Sequence, residues 1–316
     1  MLDTAGLFTA GQALACGYRR PDVARELRQR RWHRVGWGVF MLREVWEALD
    51  DRGRHLAQAH ARLLVLGPGW ALARRTAVVA HGLSHLGAQP TIPQLLGAKG
   101  RAKARSRHER IATLPEEDVA ILSGCRATSL ERTVVDVSRK ESFRGALVIA
   151  DSAVRGGADL EVARSIGRRC EGWPGGSGIA QVLRFADGRA ESALESISRL
   201  AMLLGGLPLP EPQVEVYLGR MLLGRVDFFW RAYNLVGECD GLVKYTDTAV
   251  VVREKLREER LTSCGLEVAR WNWDHAWREQ EMVRRIRQGM LAGPRRTLDP
   301  DLRFVSTTVP TLPAVV

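Results

Sequence analysis

The sequence predicts an α+β protein of more than one domain, and three observations carry that prediction. The chain has 316 residues, enough for two or three domains. Its charge is divided: residues 1–110 hold 19 Lys and Arg against 8 Asp and Glu, whereas the remainder holds 28 of each. The apolar pattern also changes, from helical spacing before the Gly-rich stretch CEGWPGGSG to strand-like alternation after it. At 45% apolar and 26% charged residues, the composition is that of an ordinary globular protein.

Residues 1–48 open with LFTAGQALACG, a short helix closed by Gly17. Pro21 marks the start of DVARELRQRR, where Val23 and Leu27 lie four apart and arginines fill the other faces. WHRV and VFML then read as two short strands about a Gly-containing turn. Helix, turn, basic helix and hairpin is the order of a winged helix-turn-helix. Its second helix is expected in the major groove, with the hairpin on the backbone. Arg25, Arg28, Arg30, Arg31 and Arg34 would contact phosphates and base edges. A small helical protein-binding module has the same order, but the one-sided positive charge favours DNA.

Residues 49–175 read as a mainly helical middle module. Residues 52–66 and 70–83 are helical, with LGPGW between them, and ADLEVARSIGRRC is a further short helix. In GCRATSLERTVVDVSRKESFRGALVIADSAVRGG two helices are expected, the first capped by Thr128 or Ser129. The run from Lys99 to Arg110 carries six Lys or Arg and one Glu. Lys99, Arg101, Lys103, Arg105 and Arg107 either grip a nucleic-acid backbone or belong to a solvated connector. The five histidines of this half show no metal-ligand spacing.

No basic segment leads into an apolar run at the start, so no signal peptide is expected. The apolar runs, ALVIADSAV among them, are too short to cross a membrane. Five scattered cysteines without a Cys-x-x-Cys argue against a disulfide framework or a structural zinc site. The expected location is the cytoplasm.

Residues 182–292 carry the chemistry. GRAESALESISRLAMLLGGLP is a helix. PQVEVYLG, RMLLGRVDFFW and YNLVGECD are three strands, followed by an amphipathic helix closed by Gly265, the strand LEVARWNW and a last helix. The order is α-β-β-β-α-β, with a mixed central sheet. With a two-residue turn at Arg231-Ala232, Asp227 would face Val236, and Glu238 would be its diagonal neighbour on the same face. Asp240 would add a third carboxylate. Acids so placed repel one another unless a hard cation sits between them, and Mg²⁺ or Mn²⁺ suits such a set. A metal held there activates water and neutralises a phosphodiester. Trp271, Trp273 and Trp277 read as core or rim packing rather than as a base-stacking platform. Residues 293–316, rich in Pro and Thr, read as a loose tail.

Asp227 followed after ten residues by Glu238-x-Asp240-Gly241, together with ESALES, GRVDFFW, REKLREERL and RW, resembles the PD-(D/E)XK nuclease superfamily. In particular it resembles the branch related to very-short-patch-repair endonucleases. It covers roughly residues 185–290 and implies a restriction-endonuclease-like α/β domain. It also implies metal ligation by Asp227 and Glu238, joined by Glu195 on the first helix. The superfamily's Lys, two residues after the acid, is replaced by Asp240, and Lys244 or Lys255 would have to stand in for it. Arg253, Arg257 and Arg260 either line a phosphate track or pair with neighbouring glutamates.

LFTAGQALACG, the basic helix and RWHRVGWGVFML resemble the N-terminal winged helix of AbiEi-type antitoxins, which are transcriptional regulators. The resemblance continues weakly through AHARLLVL, RRTAVVAHGL and TSLERTVVDV. Two functions follow as expectations. One is a DNA-binding protein with a metal-dependent endonuclease domain. The other is a non-enzymatic regulator with a degenerate nuclease fold. The expected partner is DNA, with a cognate toxin under the second reading. A homodimer suits either, and no membrane is involved.

Overall fold

The computed structural model describes residues 6–98, 109–111, 114–241 and 248–306. Lys99, Arg101, Lys103, Arg105, Arg107 and Lys244 lie outside them. The protein is an α+β chain of two compact units, residues 1–186 and 187–316. Three sheets are present among the described residues, and no helix among them is long and apolar enough to cross a membrane.

The first unit begins with β1 (Phe8–Thr9), α1 (Ala10–Ala15), α2 (Arg20–Arg28), β2 (Trp32–Gly36) and β3 (Val39–Leu42). Thr9 caps α1 through a reciprocal bond pair with Gln12, and Gly17 turns the chain at φ +91°. Asp22 accepts the Arg19 amide at 2.9 Å to start α2. Trp32, Phe40 and Ala13 form the core of these elements, with Phe8, Val23 and Leu27 packed around them. The strand order is β1-β3-β2, all antiparallel.

The unit continues with α3 (Arg43–Ala48), α4 (Asp51–Leu66), β4 (Trp70–Leu72), α5 (Arg74–His81), β5 (Leu95–Ala98), β6 (Glu109–Ile111), β7 (Val119–Leu122) and β8 (Cys125–Thr128). Helices α6 (Leu130–Ser138), α7 (Phe143–Arg155), α8 (Leu160–Arg169) and α9 (Ser177–Phe185) follow. The segment expected to be mainly helical thus also holds a five-stranded mixed sheet, β6-β5-β4-β8-β7. Its strands are three or four residues long, too short to show alternation. Ser129, one of the two expected caps, accepts the Arg132 amide at 3.2 Å. Ile179, Val182 and Leu183 of α9 join the core of Val134, Val135 and Ile149, and the break between the units falls after Ala186.

A buried ionic network lies beneath α6. Arg132, 2% exposed, donates to Asp118 at 2.8 Å and to Asp136 at 3.0 Å. Arg169 reaches Asp118 at 2.5 Å. Arg132 and Arg139 lie over the Trp173 ring, 5.3 and 4.8 Å from its centre.

The second unit contains α10 (Ala193–Leu204), β9 (Glu211–Leu218), β10 (Met221–Trp230), β11 (Leu235–Asp240), α11 (Thr248–Ser263), β12 (Glu267–Asn272), α12 (Trp273–Trp277), α13 (Glu279–Ala292) and β13 (Leu302–Ser306). The expected α-β-β-β-α-β order is present, and the sheet runs β12-β11-β10-β9-β13. Only the β11–β12 pair in this sheet is parallel. Val214, Val216, Val226, Phe229, Val236 and Leu261 form its core. The last expected helix is two helices broken at Arg278. The segment expected to be loose instead supplies β13, whose Phe304 stacks on Phe229 at 4.4 Å.

Candidate active site

The site is built on the β10–β11 hairpin. Phe228 pairs with Gly237, Phe229 with Val236 and Trp230 with Leu235. The loop is therefore four residues rather than two. Arg231–Tyr233 forms a 3₁₀ turn, and Asn234 closes it at φ +46°, a conformation that Asn tolerates. The expected register, with Asp227 facing Val236, is corrected by two residues. Asp227 lies one step beyond the Phe228–Gly237 pair, beside Glu238, and because the shift is even the two acids still share a face.

Glu238 is 6% exposed. Its Oε2 pairs with Arg257 Nη2 at 3.0 Å. Its Oε1 is buried and has no hydrogen-bond partner among the described residues. Burial, and then the charge of Asp227, push its carboxyl up to about 8. Asp227 Oδ2 accepts the Cys239 amide at 2.8 Å, and burial raises its carboxyl as well.

Glu195 stands in the first turn of α10, where Ser192 Oγ accepts its amide at 3.1 Å. Its Oε2 accepts the Glu191 amide and Gln213 Nε2, both at 2.9 Å. Burial raises its carboxyl too. Gln213 is the residue that the sequence reading missed. It is 2% exposed, sits in β9 at φ +53°, and reaches both Glu195 and Asp227, the latter at 3.5 Å. A polar residue inside PQVEVYLG was the only signal for it.

Asp240 does not extend the acid cluster freely. Arg270 of β12 holds it through Nη2–Oδ1 at 2.5 Å and Nε–Oδ2 at 3.1 Å, and also reaches Glu258 at 3.0 Å. Lys255 is exposed on α11. It lies two residues from Arg257, about 200° around the helix, so it does not share the face that meets the sheet. The cation that the fold brings in is Arg257. Its Nη1 donates to the Arg225 carbonyl at 3.0 Å. Its stem crosses Gly224 at a register shift in β10, where an added Cβ would lie 2.9 Å from Arg257 Cδ.

Among the described residues, no group of three or more His, Cys, Asp or Glu is gathered as a metal cage. What is present is the pair Asp227 and Glu238, with one buried, unbonded carboxylate oxygen. That donor set fits Mg²⁺ or Mn²⁺, which needs one or two carboxylates and completes its shell with water and phosphate.

These raised carboxyls give stability an unusual pH dependence. The folded state holds a proton on Glu238 that the unfolded state releases above about 4.5. Without added metal, stability is therefore expected to fall as pH rises from about 4.5 to 8. Melting curves at pH 5 and pH 8 test this, and Mg²⁺ added at pH 8 should restore the midpoint. A midpoint that rises across this window would contradict the assignment.

The remaining expected residues fall elsewhere. Arg25, Arg28, Arg30, Arg31 and Arg34 are exposed in the first unit. Arg25 pairs with Asp22 at 3.0 Å and Arg31 holds Glu26 at 2.5 Å. Arg34 lies 5.8 Å over Phe40. Of the three tryptophans, Trp271 is core, donating to Ser198 at 2.7 Å and stacking on Phe228, while Trp277 is 54% exposed.

No family model matches the chain. Proteins from two strains of Mycobacterium tuberculosis, both described as uncharacterized, are 37% identical to it over 150 residues, covering 46% of this chain and 54% of theirs. The chain thus spans about half the length of the curated relatives it matches.

Proposed function

We propose that this is a cytoplasmic DNA-binding protein whose second unit hydrolyses DNA phosphodiester bonds with Mg²⁺ or Mn²⁺. In this reading the first unit docks DNA through a winged helix, and the second is a PD-(D/E)XK-type nuclease domain. The observation that carries it is the Oε1 of Glu238, buried beside Asp227 with no hydrogen-bond partner among the described residues. A buried carboxylate oxygen left without a partner costs stability unless a cation completes it.

Bound there, the metal would supply charge neutralisation and an activated water. The chain's own groups do the rest. Cys239 N and Gln213 fix the Asp227 carboxylate, and Gln213 ties it to Glu195. Arg257 takes the part of the absent motif Lys, in place of Lys244 or Lys255, because its guanidinium is already at the acid pair. Arg257→Ala is expected to lower kcat about a hundredfold or more with little change in KM, the effect of a group used mainly in the transition state. Arg257→Lys should recover part of it. An equal loss of kcat in both variants with a raised KM would assign Arg257 to substrate binding.

The test of the reading is cleavage of supercoiled and linear DNA with Mg²⁺, Mn²⁺ or EDTA, beside an Asp227→Asn, Glu238→Gln double variant. Cutting by wild type that EDTA and the double variant both abolish supports it. Binding without cutting by either protein, over several substrates, sinks it.

The second reading is a non-enzymatic AbiEi-type regulator with a toxin partner. It is favoured by the Arg270 clamp on Asp240 and the Arg257 contact with Glu238, since cationic side chains already answer two of the acids.

A further inference from the structure

The tip of the β2–β3 hairpin presents a large aromatic side chain to solvent. Trp37 is 85% exposed, more than any other large apolar side chain among the described residues. It lies between Gly36 and Gly38, the latter at φ +68°. The hairpin beneath it is fixed. His33 stacks on Trp46 with ring centres 4.2 Å apart, and a Cβ on Gly36 would lie 3.2 Å from Ala61 of α4. Between the hairpin and α4 runs an open cleft of about 500 Å³. Its size is within the range of small-molecule sites, about 300–1,000 Å³. Trp37, Gln58, Arg62, Val65 and Thr91 are among its walls, and no Asp or Glu lines it.

We propose that this cleft takes one unpaired DNA base, stacked on the Trp37 indole. Arg62 would meet its phosphate, and Gln58 and Thr91 its edge. The inference rests on the DNA-binding reading of the first unit and goes beyond it, because a base inside an intact duplex cannot stack on a side chain without first leaving its neighbours. The lining favours a nucleotide over an apolar peptide. It combines one flat aromatic platform, a guanidinium, an amide and a hydroxyl, without a carboxylate to repel phosphate. Arg28, Arg30 and Arg34, exposed in the same unit, add positive charge.

The test uses the full chain and two DNA duplexes, one perfectly paired and one with a single bulged 2-aminopurine, with EDTA present to prevent cutting. Wild type is expected to bind the bulged duplex about tenfold more tightly and to quench the 2-aminopurine fluorescence. Trp37→Ala should lose both the preference for the bulged duplex and the quenching, and Trp37→Phe should keep part of both. Because Trp37 is exposed, neither variant removes core packing. Wild type that binds both duplexes equally overturns the cleft but leaves the DNA-binding reading standing. Wild type that binds neither overturns both. An unchanged Trp37→Ala overturns the proposal and leaves the indole to a protein partner.

Discussion

Glu238→Gln is expected to lower metal-dependent cleavage at least about a hundredfold and, in the same protein, to raise the melting midpoint at pH 8. Replacing even an outer-shell partner of a metal site costs about 10–100-fold, and loss of a direct ligand costs more. The stability effect has the opposite sign because the wild-type carboxylate is buried beside Asp227. A shift from 4.5 to about 8 corresponds to a few kcal/mol, at about 1.4 kcal/mol per unit. The amide keeps the volume and an oxygen for Arg257 while removing the charge. Cleavage and melting measured on one preparation, without metal for the melt, check both halves. Undiminished cutting would place the chemistry elsewhere. A lowered midpoint would mean that the Glu238–Arg257 pair is a stabilising ion pair rather than part of a site held in readiness for a cation.

Arg132→Ala is expected to destabilise the first unit by about 3–5 kcal/mol, the cost of breaking a buried ion pair from one side. The side chains of Arg132, Asp118 and Asp136 are each 2–3% exposed. Removing the guanidinium therefore takes the nearer arginine from Asp136 and one of two from Asp118, and Trp173 loses one of its two covering arginines. A midpoint about 10 °C lower, with α6 amides losing protection from hydrogen exchange, is the expected result. Arg132→Lys should recover little, because one ammonium cannot span Asp118 and Asp136 as the planar guanidinium does. A loss under about 1 kcal/mol would assign the stability to the apolar packing of α6 instead.

The site was legible where its signal is local and periodic. Asp227 and Glu238 sit in strand-like runs, so alternation placed them on one face, and an error of two residues in the loop left that result intact. The loop itself was not legible, because Arg-Ala-Tyr has no turn signature and only the left-handed Asn234 closes it. Gln213 was not legible as a site residue, and Arg257 was legible only as a phosphate-track or glutamate-pairing arginine, not as the cation at the acid pair. One enters through an unusual backbone conformation in β9, the other from a helix whose rotation against the sheet no local pattern states. In the first unit, Ser129, one of the two expected caps, marked a helix start that the structure has. The five-stranded sheet stayed hidden because Trp70–Leu72 was read into the helix expected over 70–83, and strands as short as Leu95–Ala98 show no alternation.

The strand β13 also sets a timetable. It closes the edge of β9 and is the last element of the sheet to leave the ribosome. From Leu218 to Ser306, synthesis at about 5–20 residues per second takes roughly 4–18 s. Through that interval β9 presents an open edge, and its neighbour Phe229 waits for Phe304. A chain truncated before Leu302 would keep every acid of the site and still be prone to edge-to-edge aggregation. A nascent chain can therefore have its first unit folded well before its second unit is complete.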